Sequence, residues 1–329
     1  LIKNLMCLLL LISRVSAAEP ATSYADREDF LDYISELSAI HGFSSEYLSQ
    51  VFSGIEPSQR ILDLISKPSE KRLEWFEYQK ILVDEPRIRL GVEFWKENLD
   101  TLIKAERIYG VAPEYIVAII GVETRYGRIM GSYPVLQALT TLGFSYPPRS
   151  KFFLKELTEF FLLTRSQNLN PLTLTGSYAG AMGYGQFMPS SYRAYAVDFD
   201  EDNIKDIWNN KADAIGSVAN YFSRHGWKGE GPVVLRGQKI FENVLAESDK
   251  SLAPNITAGS LREKGIDSPL SSDTEVALFL MQGIDGEEYW LGLNDFYVIT
   301  RYNHSSMYAL AVYQLSQAIK ERRRKLSGS

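Results

Sequence analysis

In YIVAIIGVETRYG, residues 115–127, a nearly all-hydrocarbon run ends on the carboxylate of Glu123. Ile116, Val117, Ile119, Ile120 and Val122 fall on every face of a helix, so the spacing predicts a helix over 111–127, buried on most sides. Pro113 suits its first turn and Gly127 its C-terminal cap. In the last turn the helix dipole opposes a negative charge, and desolvation opposes it too; both raise the pKa of a carboxyl. A carboxyl kept protonated near neutral pH is what a general acid needs to protonate a glycosidic oxygen. The competing reading is structural: Glu123 pairs with Arg125 or Arg128, or faces solvent.

Three further stretches carry residue types that bind or react. GSYAGAMGYGQFMPSSY, residues 176–192, removes side chains at Gly176, Gly180, Gly183 and Gly185, where something must approach the backbone. Ser177, Tyr178, Tyr184 and Gln186 would line that approach. It lacks the dinucleotide-binding spacing and follows no evident strand; a glycine-rich turn without a ligand is the alternative. In VDFDEDNIKDIWNNKADA, residues 197–214, Asp198, Asp200 and Asp202 occupy the first, third and fifth positions of an EF-hand-like loop, and Ile204 would offer its backbone carbonyl. Asn203 stands where that pattern has glycine and Asn209 where it has glutamate; Asp213 could supply the missing carboxylate. Clustered carboxylates repel one another without a cation, so calcium is expected over a plain acidic loop. FYVITRYNHSSMYALAV, residues 296–312, sets Tyr302, Asn303 and Tyr308 at an expected strand-to-helix transition, a weak signal alone.

The elements that must position these residues are mostly helical. Helical spacing runs from Asp26 to about Leu102, with Gly42 as a stop and Ser44 as a start. Residues 80–89 are expected to be irregular because Pro86 interrupts them, and 89–109 to form one long helix. Further helices are expected at 151–166, 190–197, 212–225 and 306–323. From Gly229 to about Tyr289 the texture turns to short strands and loops.

Composition narrows the function. A chain of 329 residues is long for a single core. Its net charge of −6 makes nucleic acid a poor partner. The one basic run, KERRRK at 320–325, reads as the C-terminal end of a helix. The start, LIKNLMCLLLLISRVSAAEP, has Lys3, an apolar core and small residues near Ala17, the layout of a signal peptide. Cys7 is the only cysteine and lacks the small residues that lipidation requires before it, so a lipoprotein is not expected. The mature chain is left without disulfides or thiol chemistry.

Taken together, GVETRYG, GSYAGAMGYGQFMPSSY, DAIGSVANYF with HGW, and TRYNHS resemble the lytic murein transglycosylase B family, in its order and spacing from about Tyr78 to Gln317. The resemblance implies a mainly α (α+β) fold. A lysozyme-like catalytic core at 108–228 and 289–305 would carry the EF-hand-like loop. A helical domain at 19–107, joined by the C-terminal helix 306–329, would flank it, with a small β-rich domain at 229–288 and a signal peptide at 1–17. It implies cleavage of the β-1,4 bond between N-acetylmuramic acid and N-acetylglucosamine in peptidoglycan, leaving 1,6-anhydro ends. Glu123 would be the sole acid/base. Tyr78, Ser177, Tyr184, Gln186, Tyr302, Asn303 and Tyr308 would line the sugar cleft. Asp198, Asp200, Asp202, Ile204 and Asp213 would hold a structural Ca²⁺, with no organic cofactor. The implied partners are glycan strands, with cell-wall synthesis or remodelling proteins beside them; the implied state is a periplasmic monomer. A hydrolysing muramidase and a non-catalytic peptidoglycan-binding protein are the alternatives.

Overall fold

The computed structural model describes residues 24–67, 73–237, 244 and 251–327. The expected signal peptide at 1–17, with Cys7, lies outside the described residues. The chain divides into two compact units, between Pro57 and Ser58.

In the first unit, Phe30, Tyr33 and Leu37 form the buried stripe of a helix over Glu28–His41. Gly42, at φ +68°, ends that helix: its N–H donates to the carbonyl of Ser38, and the N–H of Phe43 to that of Leu37. Ser44 caps the next helix, Ser45–Phe52, through its hydroxyl. The edge of Phe52 meets Phe30 at 5.0 Å.

The second unit is built around the helix Pro113–Thr124, whose residues Ile116 to Ile120 have no exposed surface. Packed on it are the helices Glu85–Glu97, Leu99–Tyr109, Lys211–Arg224 and the C-terminal helix Ser306–Ser327. Two close approaches depend on glycine. The hydroxyl of Tyr126 lies 2.5 Å from where a Cβ of Gly91 would be and 2.4 Å from that of Gly121. It thereby reaches the carbonyl of Arg87 at 2.9 Å. Arg87, itself buried, donates to the carbonyls of Gly121 and Ile81. These contacts fix the helix that carries Glu123 against its neighbour.

Three expectations of local structure are corrected. Residues 80–89 are helical on both sides of a short break. Asp84 accepts from the N–H of Arg87 at 2.7 Å, and Pro86 sits in the first turn of Glu85–Glu97, where its missing N–H costs nothing. The long helix over 89–109 is interrupted at Asn98, whose side-chain amide donates to the carbonyl of Phe94 and ends the first segment. Residues 294–302 are helical rather than a strand, so Tyr302 ends one helix and Asn303 lies between it and the next.

The strands are few. β1 (Tyr133–Pro134) pairs with β2 (Thr175–Gly176). β3 (Val234–Arg236), β4 (Ile256–Thr257), β5 (Glu275–Gly283) and β6 (Gly286–Gly292) form an antiparallel sheet in the order β3-β6-β5-β4. Val276 and Leu278 of β5 alternate onto one face with Tyr289 and Leu291 of β6, packing on Leu261 and Ile266. On the other face, Phe279 stacks on Phe296 at 4.7 Å. Asp295 accepts the N–H groups of Lys228 and Gly229, each at 2.8 Å, so the segment entering the sheet is pinned to the helix Asn294–Tyr302 that leaves it. β5 also runs alongside the helix Trp75–Leu82 that carries Tyr78.

Candidate active site

Glu123 sits half-buried in the last turn of its helix. The helix leaves through three successive left-handed residues: Arg125 at φ +48°, Tyr126 at φ +63° and Gly127 at φ +84°. The cap is thus Arg125, not the expected Gly127. Arg125 pays for this conformation by pairing with Asp84 at 3.0 Å. Gly127 has a different task. A Cβ there would lie 2.2 Å from the ring of Tyr184, so glycine lets that ring cover the turn. Thr124, nearly fully buried, donates to the carbonyl of Ile120 or Tyr184 and accepts the N–H of Gly127, tying the helix end to the glycine loop. Backbone strain of this kind persists only where surrounding contacts over-determine it.

The arginines therefore do not neutralise Glu123. Arg125 belongs to Asp84, and exposed Arg128 makes no ion pair among the described residues. Instead the buried hydroxyl of Tyr308 donates to Oε1 of Glu123 at 2.5 Å. Tyr302 donates to the carbonyl of Gly185 at 2.6 Å, and its ring is walled by Phe187, Tyr221 and Phe222. Burial, and then the charge of Glu123, push both tyrosines well above the ordinary phenol range. They remain neutral donors at any physiological pH. Tyr78, buried on the helix Trp75–Leu82, lies near enough to act on Tyr308 in the same sense. Glu123, Tyr78, Tyr302 and Tyr308 thus converge. Asn303 follows Tyr302 in extended backbone, half-buried, with a side-chain amide that makes no hydrogen bond to the protein among the described residues.

The glycine-loop residues act mainly on the loop itself. The hydroxyl oxygen of Ser177 accepts the N–H groups of Ala179 and Ala181, which closes the turn and leaves its proton to be donated. Gln186, at φ +50°, donates to the carbonyls of Met130 and Gly183, clamping the segment after Glu123 onto the loop. Tyr184 is a wall, its N–H held by the carbonyl of Ile207 at 2.9 Å.

Ile207 ends the acidic loop, so the two loops brace each other. Carboxylate oxygens of Asp198, Asp200 and Asp202 lie within 4.8 Å of one another. Asp198 accepts the N–H groups of Glu201, Asp202 and Asn203, and Asn203 takes φ +71° as its expected substitution for glycine requires. Ile204 has an exposed side chain, and its N–H is held by Asp202. Asp213 stands apart from the cluster. Fully buried, it accepts Phe199 N–H on one oxygen and Asp206 N–H on the other, each at 2.7 Å, closing the two ends of the loop. Burial, followed in effect by the carboxylates of Asp200 and Asp198, pushes its pKa up against those two bonds. Three uncompensated carboxylates on one turn are the donor set of a hard, oxygen-liganded cation.

Sequence reasoning missed the residues that hold the site. Thr124, Asp84 and the Gly91–Tyr126–Gly121 contact leave no local signal; Tyr221, inside the DAIGSVANYF motif, is one that could have been found.

The sequence pattern described as Transglycosylase SLT domain matches residues 26–317. This chain belongs to that transglycosylase family. The transglycosylase is 40% identical to the membrane-bound lytic murein transglycosylase B of Escherichia coli K12 over 306 residues, 90% of this chain and 84% of that protein. Soluble lytic transglycosylase SltB1 of Pseudomonas aeruginosa superposes with a TM-score of 0.85 at 50% identity, over 89% of this chain and 98% of that one. Escherichia coli lytic transglycosylase SLT35, in complex with calcium, gives a TM-score of 0.84 at 38% identity, over 94% and 98%. The mainly α, lysozyme-like architecture expected for the transglycosylase is the one found.

Proposed function

We infer that this transglycosylase cleaves the β-1,4 bond between N-acetylmuramic acid and N-acetylglucosamine in peptidoglycan, with Glu123 as its one acid/base. What supports this most is a carboxyl held at the end of a buried helix by the hydroxyl of Tyr308, beside Tyr302 and Tyr78. Among the described residues the buried carboxylates are committed elsewhere: Glu114 to Lys320, Glu156 to Ser190, Asp213 to its loop and Asp295 to the backbone at 228–229. None of them is available to activate a water.

The chemistry follows from one carboxyl. Protonated Glu123 gives its proton to the glycosidic oxygen as the C1–O bond breaks. The substrate's own N-acetyl group stabilises the cation, an exception to the scheme of two carboxylates. Ionised Glu123 then takes the proton of the muramic acid 6-hydroxyl, whose oxygen closes on C1. Glu123 is restored and no water is consumed. An aligned intramolecular nucleophile has an effective molarity of about 10⁵ M or more, which favours ring closure over hydrolysis. Asn303 and Ser177, each with a hydrogen to give, hold the N-acetyl region; Tyr78, Tyr184, Gln186, Tyr302 and Tyr308 shape the cleft.

Asp198, Asp200 and Asp202 would hold Ca²⁺ with the carbonyl of Ile204, and Asp213 supports the loop. Bound there, the ion supplies charge neutralisation that stiffens the loop behind Tyr184; no step of the reaction passes through it. The leader-like composition of residues 1–17 supports a mature protein in the periplasm, acting on glycan strands as a monomer, alongside cell-wall synthesis or remodelling proteins. No helix among the described residues is long and apolar enough to cross a membrane.

The test is mass spectrometry of digested peptidoglycan in water labelled with heavy oxygen. Unlabelled 1,6-anhydro ends, one water lighter than hydrolytic products, are expected. Labelled reducing ends would make the protein a hydrolysing muramidase, and an undigested substrate a binding protein.

A further inference from the structure

Beside the proposed cleft lies a group of side chains that neither the fold nor the mechanism uses. β1 places Tyr133 opposite Gly176, and Tyr178 follows Ser177 on the glycine loop. The two rings meet edge to face, 6.4 Å apart at 82°, with Tyr178 exposed. The guanidinium of Arg60 stands 5.5 Å from the centre of the Tyr133 ring. Arg60 is exposed and makes no ion pair among the described residues. Some cations of this unit are paired within it, Arg125 with Asp84, Lys320 with Glu114 and Arg322 with Glu85, whereas Arg60, like Arg128, is left to solvent.

The group is built onto the catalytic end of the molecule. Gly131, at φ +87°, has the backbone of Gly176 and Ser177 where a Cβ would be, at 2.1 and 2.6 Å. Gln186 holds the carbonyl of Met130 from the other side. The strip from Glu123 to Tyr133 is thus fastened along the glycine loop at Met130, Gly131 and Tyr133, and the tyrosine pair continues the line of Ser177.

An exposed phenol ring offers a flat apolar face with a polar edge, which suits a pyranose. A guanidinium over such a ring keeps its hydrogen-bonding edge open, and that edge matches a carboxylate. We propose that Tyr133, Tyr178 and Arg60 form an outer subsite that binds one sugar of the strand on the rings and one substrate carboxylate on Arg60. This deepens the proposed function and rests on it. On a peptidoglycan strand the carboxylate belongs to the peptide stem or, where the stem has been removed, to the lactyl group of muramic acid that otherwise carries it as an amide. Arg60 is in this reading a specificity residue: it senses whether a sugar carries an acid, and takes no part in bond breaking.

Binding by titration calorimetry, with Glu123→Gln as the parent so that the probes are not consumed, tests the subsite apart from catalysis. The probes are peptide-bearing strands, strands stripped of peptide by an amidase, and neutral N-acetylglucosamine oligomers. Arg60→Ala should weaken the acid-bearing strand it grips, peptide-bearing or stripped, roughly fivefold, the upper range for an exposed ion pair, and leave neutral oligomers unchanged. Loss only on stripped strands assigns the lactyl carboxylate, loss only on peptide-bearing strands assigns the stem, and loss on both means that Arg60 takes either acid. Arg60→Lys should restore part of the affinity, whereas Tyr178→Ala should weaken all three probes alike. An Arg60→Ala variant that binds every probe as the parent does, or loses all three equally, overturns the proposal. Selective binding by the parent, with no cleavage by the wild type, would instead overturn the catalytic reading and leave the subsite standing.

Discussion

A carboxyl at the C-terminal end of a buried helix is opposed by the dipole and by lost hydration, so a specific contact has to hold it there. Here that contact is Tyr308, whose hydroxyl cannot ionise at working pH and so always donates. Glu123→Gln should keep the fold, because the amide still accepts from Tyr308, yet lower the turnover by at least about a hundredfold, as for loss of a general acid. Rates within tenfold of the wild type in a muropeptide release assay would count against the assignment. Tyr308→Phe removes only the donor. We expect kcat to fall roughly tenfold with KM little changed, equivalent to one hydrogen bond of about 1.4 kcal/mol made to the reacting carboxyl. A change confined to KM would place Tyr308 in substrate binding alone. At this scale the sequence set Glu123 at the end of a helix hydrophobic all round and left a structural role open beside the acid, which only the family resemblance favoured. It showed Tyr308 only weakly, because a tyrosine on an apolar helix is ordinarily core.

Among elements, the packing of the Glu123 helix decides how well that carboxyl is aimed. Gly121→Ala should raise helix propensity by about 1 kcal/mol. It also drives a methyl to 2.4 Å from the Tyr126 hydroxyl, which is trapped between two helices. The clash wins: a net loss of about 1–3 kcal/mol is expected in urea unfolding, typical of overpacking, and a neutral result would mean that Tyr126 swings away freely. The acidic loop separates two roles that the sequence merged. Asp213 serves the backbone, so Asp213→Asn faces an amide donor against an N–H and should destabilise by about 1–3 kcal/mol even in chelator. Asp200→Asn should lower the melting temperature only in calcium, by removing the stabilisation that ligand linkage provides. Identical melting of the two variants in both conditions would merge the roles again. The boundary expected near residue 107 came with the family resemblance. Contacts within the chain divide it between Pro57 and Ser58, because the helices from Trp75 to Tyr109 pack on the Glu123 and C-terminal helices.

Over the whole molecule, pH reads out the aromatic wall behind Tyr302. Burial, with Arg301 adding to it, holds the pKa of His225 below its ordinary value, against the Tyr221 carbonyl that its ring engages at 2.7 Å. The unfolded chain therefore binds this proton more readily. The stability is present above the unfolded pKa of about 6.5 and is lost as pH falls through the folded value. The melting temperature should decline with acid in this window, and more steeply than in His225→Gln measured from its own plateau. Parallel slopes would remove His225 from the account. The C-terminal basic run, read from sequence as a helix end, is one, but Lys320 and Arg322 also reach back to Glu114 and Glu85 and fasten it to the unit.

What the sequence determined by itself was local. The all-round apolar period buried a helix and left Glu123 at its end; the spacing of Asp198, Asp200 and Asp202 gathered three carboxylates on one turn. Both follow from backbone geometry within a few residues. The tertiary structure decided what those groups face. Tyr308 reaches Glu123 across 185 residues, and Asp84 takes Arg125 across 41. Neither partner is specified by any period. Each is chosen by which helices share a core, and that depends on the side-chain volumes of the whole unit at once.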